Sequence, residues 1–242
     1  MKLTVLGMNG PYPAAKGACS GYLLESGDTR VLMDLGTGVL ANLTALMPPE
    51  ELTAILLTHW HFDHCGDILP LIYRMEGQVA AGHAPLTVIA PEDETSPIRQ
   101  LVKNSRCFRL VDVKPGDQLP VEELLVKVGE ARHPVPAVMY RLSAGGHDLT
   151  YTGDTNTLPG IPAFIRGTEL LLADGLFTRA LWAEGKPHLS AVLCGELARD
   201  AGAGRLVITH LNPAIDPEAL LREAREAFPG AELSSVGASW TL

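Results

Sequence analysis

A chain of 242 residues with a formal net charge of −9 can bury a sizeable core. Its acidity argues against a chain-wide basic surface of the kind that grips nucleic acid. At 46% hydrophobic residues it reads as a soluble globular protein, with no stretch near the roughly 20 apolar residues of a membrane span. Cys19, Cys65, Cys107 and Cys194 show no paired spacing, and read as reduced, mostly core thiols of a cytoplasmic protein.

Leu3 to Leu6 forms an opening strand, too brief an apolar run for a signal peptide, and breaks in the turn formers Gly7-Met8-Asn9-Gly10-Pro11. A hairpin follows, Gly21–Glu25 and Arg30–Asp34, then a helix from Gly36 to Met47 that stops at Pro48-Pro49. Ala54-Ile55-Leu56-Leu57 is a buried strand. Ile68, Leu71, Ile72 and Met75 fall at helical spacing, and Leu86–Ile89 is again a strand. Ser96-Pro97 caps a helix reaching Asn104. Strands dominate from Cys107 to Leu142 and recur at Leu149–Thr152, Leu170–Ala173 and Arg205–Thr209. Leu193, Leu197, Ala198 and Ala201 mark a helix, and Asp216-Pro217-Glu218 opens another reaching Phe228 before a short final strand. No linker, low-complexity run or charge block interrupts this order. The reading is one α/β domain, residues 1–242, made of two similar halves.

The informative pattern stands at the strand ends. Val31-Leu32-Met33 ends in Asp34, Ile55–Thr58 in His59, and Leu149–Gly153 in Asp154. Leu170–Ala173 ends in Asp174, and Leu206–Thr209 in His210. Ordinary turns explain aspartate at such places but not histidine. Three imidazoles and a carboxylate crowd the stretch His59-Trp60-His61-Phe62-Asp63-His64. His59 and His61 alternate, so in extended geometry they face one way. Asp63 and His64, being adjacent, serve two centres more easily than one.

Divalent metals accept imidazole nitrogen and carboxylate oxygen, and catalytic sites keep a position for water. His59, His61, Asp63, His64, His133, Asp154 and His210 are enough ligands for two ions that share one carboxylate. Zn2+ is the first expectation, with Mn2+ or Fe2+ suiting the same donors. Two dications, two carboxylates and a hydroxide leave the pocket positive, which favours a small anionic substrate.

The HxHxDH motif, the lone His133, Gly153-Asp154-Thr155 and Thr209-His210, in this order, resemble the metallo-β-lactamase-fold superfamily across nearly the whole chain. The resemblance implies a four-layer αββα sandwich with a two-metal site along one edge. It places His59, His61 and His133 on one metal, and Asp63, His64 and His210 on the other. Asp154 bridges, and Asp34 orients a ligand or the metal loop. A homodimer is the assembly the resemblance allows. The context Arg132-His133-Pro134-Val135-Pro136 is similar to the ribonuclease Z and small phosphodiesterase branch. Pro187-His188-Leu189-Ser190 resembles that branch's His-Ser/Thr motif, although its glutamate partner is replaced here by the shorter Asp174. Asp63, His188 and Asp174 are the catalytic candidates. Pro134 to Gly153 reads as two strands around Gly145-Gly146, without room for a transfer-RNA-binding arm, so transfer-RNA processing is disfavoured.

The activity expected is hydrolysis of a small phosphodiester or cyclic phosphate. Ester, lactone or thioester hydrolysis on the same metals and an idle metal-binding protein are the alternatives. Of the remaining residues, Cys65 reads as core, while Trp60 and Phe62 pack under the metal loop. His83 and His147 face solvent, Lys186 and Arg141 are surface charges within reach of a phosphate, and Asn9 lines the pocket mouth.

Overall fold

The computed structural model describes residues 1–242. Its first half holds strands β1 (Lys2–Gly7), β2 (Gly21–Ser26), β3 (Thr29–Met33), β4 (Ala54–Leu56), β5 (Leu86–Pro91) and β6 (Phe108–Val113). Between them lie helices α1 (Val39–Thr44), α2 (Phe62–Cys65), α3 (Ile68–Ala80) and α4 (Pro97–Asn104). The second half runs β7 (Gln118–Val121), β8 (Leu124–Glu130), β9 (Val138–Ala144), β10 (His147–Tyr151), α5 (Ile161–Phe164) and β11 (Leu170–Asp174). It closes with α6 (Ala191–Ala201), β12 (Arg205–Thr209), α7 (Pro217–Ala227), β13 (Glu232–Leu233) and β14 (Ser239–Thr241).

Each half builds a seven-stranded sheet, in the orders β14-β1-β2-β3-β4-β5-β6 and β13-β12-β11-β10-β9-β8-β7. The last strand returns to the first sheet, where Trp240 pairs with Leu3. Strand alternation then sorts the core into layers. Val31 and Met33 of β3, Ala54 and Leu56 of β4, Leu170 and Leu172 of β11 and Val207 of β12 meet in one cluster between the sheets. Leu32, Ile55 and Leu57 face the opposite way, onto Leu43, Ile68, Leu71 and Val102 of the first sheet's helices. Leu171, Ala173, Leu206 and Ile208 likewise cover Cys194, Ala198 and Leu220. The result is the αββα sandwich that the resemblance implies. Strands β3 to β6 run parallel, as do β10 to β13. Their carboxyl ends, where α/β sheets bind ligands, therefore lie along one edge.

The helix expected over Gly36–Met47 is shorter, Val39–Thr44. Gly38 has a φ of 91°, and a Cβ at Gly36 would lie 2.0 Å from the Asp63 carbonyl oxygen. These residues form a loop pressed against the α2 turn, leaving less chain for α1. The expected caps are present: Ser96 Oγ accepts from Arg99 N at 3.2 Å, and Asp216 Oδ1 from Glu218 N at 3.1 Å.

Candidate metal centre

The extended chain beyond β4 carries His59 into the sandwich with no exposed surface, and His61 opens α2 in extended conformation. His59 Nε2 lies 3.0 Å from His61 Nδ1, and His133 Nε2 lies 3.1 Å from the same atom. One Nδ1–H cannot serve both neighbours well, whereas one cation satisfies three converging lone pairs. Outer contacts set the tautomers. Thr58 Oγ1 sits 3.1 Å from His59 Nδ1, and the Pro187 carbonyl 3.2 Å from His133 Nδ1. A proton on each Nδ1 leaves Nε2 free to ligate.

A second group joins Asp63, His64, Asp154 and His210, with donor atoms within 4.8 Å of one another. Adjacent Asp63 and His64 thus share one group instead of serving two. The α2 turn explains the difference, because helical neighbours diverge by about 100° rather than the near-opposition of a strand. His64 Nε2, His210 Nε2 and Asp154 Oδ1 are buried without hydrogen-bond partners. Orphaned buried groups of this kind are costly, and all three are atoms a divalent ion would take. Asp154 belongs to both groups. Its Oδ1 is 3.1 Å from His64 Nε2, and its Oδ2 is 3.7 Å from His59 Nε2.

Burial holds His59 and His210 well below the ordinary imidazole range, and lowers His133 to about 4. These rings are neutral, as ligands must be. His64 goes the other way. Burial lowers it, but Asp154, Asp34 and Asp63 together raise it well above the ordinary value. The three carboxylates call for positive charge at this point, which a proton or a metal ion meets.

Asp34 is wholly buried and held at a φ of 58°, an unusual backbone for a residue with a side chain. Its Oδ2 accepts from His64 Nδ1 at 2.7 Å and Tyr151 Oη at 2.7 Å, and its Oδ1 from Thr58 N at 2.8 Å. It therefore orients a ring of the candidate centre, as the resemblance implied. His210 also has a positive φ, 57°, which turns its ring inward, and Ser20 Oγ meets its Nδ1 at 3.1 Å. Ser20, Thr58 and Tyr151 were not singled out from sequence. Tyr151 was accessible by strand alternation, and Thr58 by its place before His59. Ser20 arrives from a loop with no local signal.

His188 lies beside both groups. Its ring stacks on His210 at 5.0 Å between centroids, and its Nδ1 is 3.8 Å from Asp154 Oδ2. Asp174 reaches it despite the shorter side chain, with 2.8 Å from Nδ1 to Oδ2. The Asp174 carboxylate also accepts from Thr155 N and Leu176 N, each at 3.2 Å. Burial raises Asp174 to about 6. Burial lowers His188, but the charge and hydrogen bond of Asp174 outweigh it and lift the imidazole to about 9. At neutral pH the two form an ion pair.

The remaining candidates divide. Cys65 is core, and His83 and His147 are exposed. Trp60 is buried, with its indole N–H donating to Pro91 O at 2.8 Å. Phe62 corrects the sequence reading: it is 65% exposed, because the strand has ended and α2 turns it outward. Asn9 is buried rather than at a mouth, and its Nδ2 donates to Leu211 O at 3.1 Å. Arg141 is occupied with Asp148 and the carbonyls of Phe164 and Arg166. Arg132 and Lys186 are exposed, have no carboxylate partner, and line a pocket of about 190 Å³ with His133.

The sequence pattern of the beta-lactamase superfamily domain matches residues 29–211. The chain belongs to that superfamily. It is 30% identical over 243 residues to the probable metallo-hydrolase YhfI of Bacillus subtilis, covering 99% of each chain. The crystal structure of YhfI matches with a TM-score of 0.93 at 29% identity, over 99% of this chain and 98% of that one. A ribonuclease Z from Methanopyrus kandleri is 28% identical over 262 residues, covering 93% of this chain and 91% of its own. A diphosphatase of the PhnP family shares the fold at a TM-score of 0.78 and 17% identity, over 99% and 96% of the two chains. The two-sheet architecture is the metallo-β-lactamase sandwich, and the protein is a metallo-hydrolase of this superfamily with a clustered histidine and aspartate site. No helix is long and apolar enough to cross a membrane.

Proposed function

We propose that the protein is a binuclear phosphodiesterase acting on a small phosphodiester or cyclic phosphate, in the cytoplasm. His59, His61 and His133 would hold one divalent ion, Asp63, His64 and His210 the other, and Asp154 both. Zn2+ is the first expectation, and the nitrogen and oxygen donors also suit Mn2+ or Fe2+. Such ions activate water near neutral pH and offset charge on a phosphoryl group.

The observation that carries the reading is the His188–Asp174 pair set against the ligand cluster, at 2.8 Å within the pair and 3.8 Å from Asp154. Asp174 holds the Nδ1 proton, which leaves the Nε2–H of a charged His188 for a phosphoryl or leaving oxygen. Asp63 accepts a proton from the attacking water. The unpaired cations Arg132 and Lys186, lining a pocket with His133, favour an anionic substrate in an otherwise acidic protein. The free thiols of all four buried cysteines suit a reducing compartment.

The test is turnover of bis-p-nitrophenyl phosphate and nucleoside cyclic phosphates beside lactone and thioester substrates, with metal-loaded protein. Phosphodiester turnover that His59→Ala abolishes supports the reading, and faster turnover of lactones or thioesters overturns it. The similarity to ribonuclease Z favours a second reading, cleavage of precursor transfer RNA. A tight hairpin of β9 and β10 fills the segment between His133 and Asp154, and the chain's net charge opposes RNA binding. Cleavage of a precursor transfer RNA in preference to small diesters would establish that second reading.

A further inference from the structure

We propose that a groove beside His61 seats a planar, amine-bearing ring of the substrate, so that the diester hydrolysed is a nucleotide. This rests on the phosphodiesterase reading and adds the part of the substrate that the metals do not touch.

Three observations carry it. Phe62 stands between the metal-ligand candidates His61 and Asp63, yet is 65% exposed, while its neighbours in sequence point inward. Its exposed face is free to stack on a flat ring. Phe62, Trp60, Pro97 and Val135 line a groove of about 170 Å³, and His61 lines it as well. His61 is thus shared by the groove and the candidate centre. Asp93 lines it too, and is only 6% exposed. Its Oδ1 accepts from Thr95 N at 3.0 Å and Thr95 Oγ1 at 2.6 Å, but Oδ2 receives no hydrogen bond from the protein.

The groove wall is built to stay in place. The buried Arg99 guanidinium pairs with Glu94 Oε1 at 2.6 Å and with Asp112 Oδ1 at 2.8 Å, tying the segment that bears Asp93 and Thr95 to β6. Ser96 caps α4 beside it.

Chemistry then selects the occupant. An aromatic face accepts any flat ring by stacking. A carboxylate with a free acceptor oxygen selects a ring that donates, such as the exocyclic amine of adenine or cytosine. The same carboxylate repels a phosphate, whereas the metals attract one, so the ring and the phosphate are sorted apart. Uracil, which presents a carbonyl at the corresponding edge, fits beside Asp93 less well.

The experiment compares kcat/KM of metal-loaded protein on adenosine, cytidine and uridine cyclic phosphates with that on a base-free ribose cyclic phosphate. The ratio cancels any disturbance of the metals common to all substrates. Phe62→Ala is expected to lower the nucleotide-to-base-free ratio by about ten- to a hundredfold, the range of base stacking on aromatic side chains. Phe62→Trp is expected to restore it. Asp93→Asn keeps the acceptor for Thr95, and is expected to narrow the preference for adenosine and cytidine over uridine. Calorimetric titration with adenosine monophosphate gives a second readout, weaker in Phe62→Ala at unchanged metal content. An unchanged ratio in Phe62→Ala overturns the proposal. So does an altered association state with an unchanged ratio, which would make Phe62 part of a subunit interface. If the wild-type protein hydrolyses base-free diesters as well as nucleotides, this inference fails and the phosphodiesterase reading stands. If it hydrolyses no diester, the earlier reading fails.

Discussion

Asp34→Asn removes one charge and almost no volume, at a residue that meets His64 at Nδ1 and not at the proposed ligand atom Nε2. In the wild type the carboxylate only accepts, so His64 Nδ1 must donate to it across 2.7 Å and Nε2 keeps its lone pair for a metal. The amide of asparagine can still accept from Thr58 N, now 2.8 Å from Oδ1. Its NH2 then faces His64 and Tyr151. Two donors cannot face each other, so His64 moves its proton to Nε2 and loses its ligand atom. Loss of such an outer partner costs about 10- to 100-fold in metal affinity, or about 1.4–2.7 kcal/mol. Asp34→Ala is harsher, leaving His64 Nδ1, Tyr151 Oη and Thr58 N without an acceptor. At about 1–3 kcal/mol each, that is about 3–9 kcal/mol against a total stability of about 5–15 kcal/mol. The assay is chelator-competition titration of metal on folded Asp34→Asn protein, with thermal melting to confirm the fold. Wild-type affinity for every ion, with full turnover, would refute the claim that Asp34 sets the His64 tautomer.

Further outcomes follow from the same geometry. His188→Ala and Asp174→Asn should retain metal and lose about 10²- to 10⁴-fold in turnover, the range for a positioned proton donor; equal loss of metal would make the pair structural. In the proposed mechanism His188 acts protonated; lifted to about 9, the donor is intact at neutral pH and turnover is expected to fall as pH rises toward that value. Bound cations bring this limb lower, and Asp174→Asn lowers it further, so a pH profile with no alkaline limb contradicts the assignment. In Gly10→Ala the new methyl would lie 2.0 Å from His210 Cε1, displacing that ring; metal titration should show at least about tenfold weaker binding. Stripping the metal should lower stability by about 2.7 kcal/mol when the free ion stands at about 100 times its Kd, seen as a melting shift of roughly 5–10 °C.

Much of this site is written in strand ends. Apolar runs stop at Asp34, Asp154, Asp174 and His210, and parallel strands carry those positions to one edge, so the run ends supply one part of the cluster and the HxHxDH stretch, His133 and His188 the rest. Pairing of Asp174 with His188 was harder to read, since a shorter carboxylate reaches the ring only if the backbone brings β11 and the segment before α6 close. The α2 turn was not legible from alternation. Once the strand stops at Leu56, period-two reasoning no longer holds. Asp63 and His64 consequently share a group, and Phe62 points outward. The shortened α1 has a similar cause, since Gly36 and Gly38 serve the close approach to Asp63 instead of the helix. Long-range supports such as Ser20 on His210 and Tyr151 on Asp34 depend on contacts between the two halves, and no local pattern encodes them.

The most direct test of the two-ion account is turnover of a nucleoside cyclic phosphate measured against the number of ions bound per chain. Metal-free protein is titrated with Zn2+, and metal content and rate are read on the same samples. The account predicts negligible turnover at one ion per chain and a rise that completes at two. Full activity at one ion, or none at two with every diester tried, would contradict it.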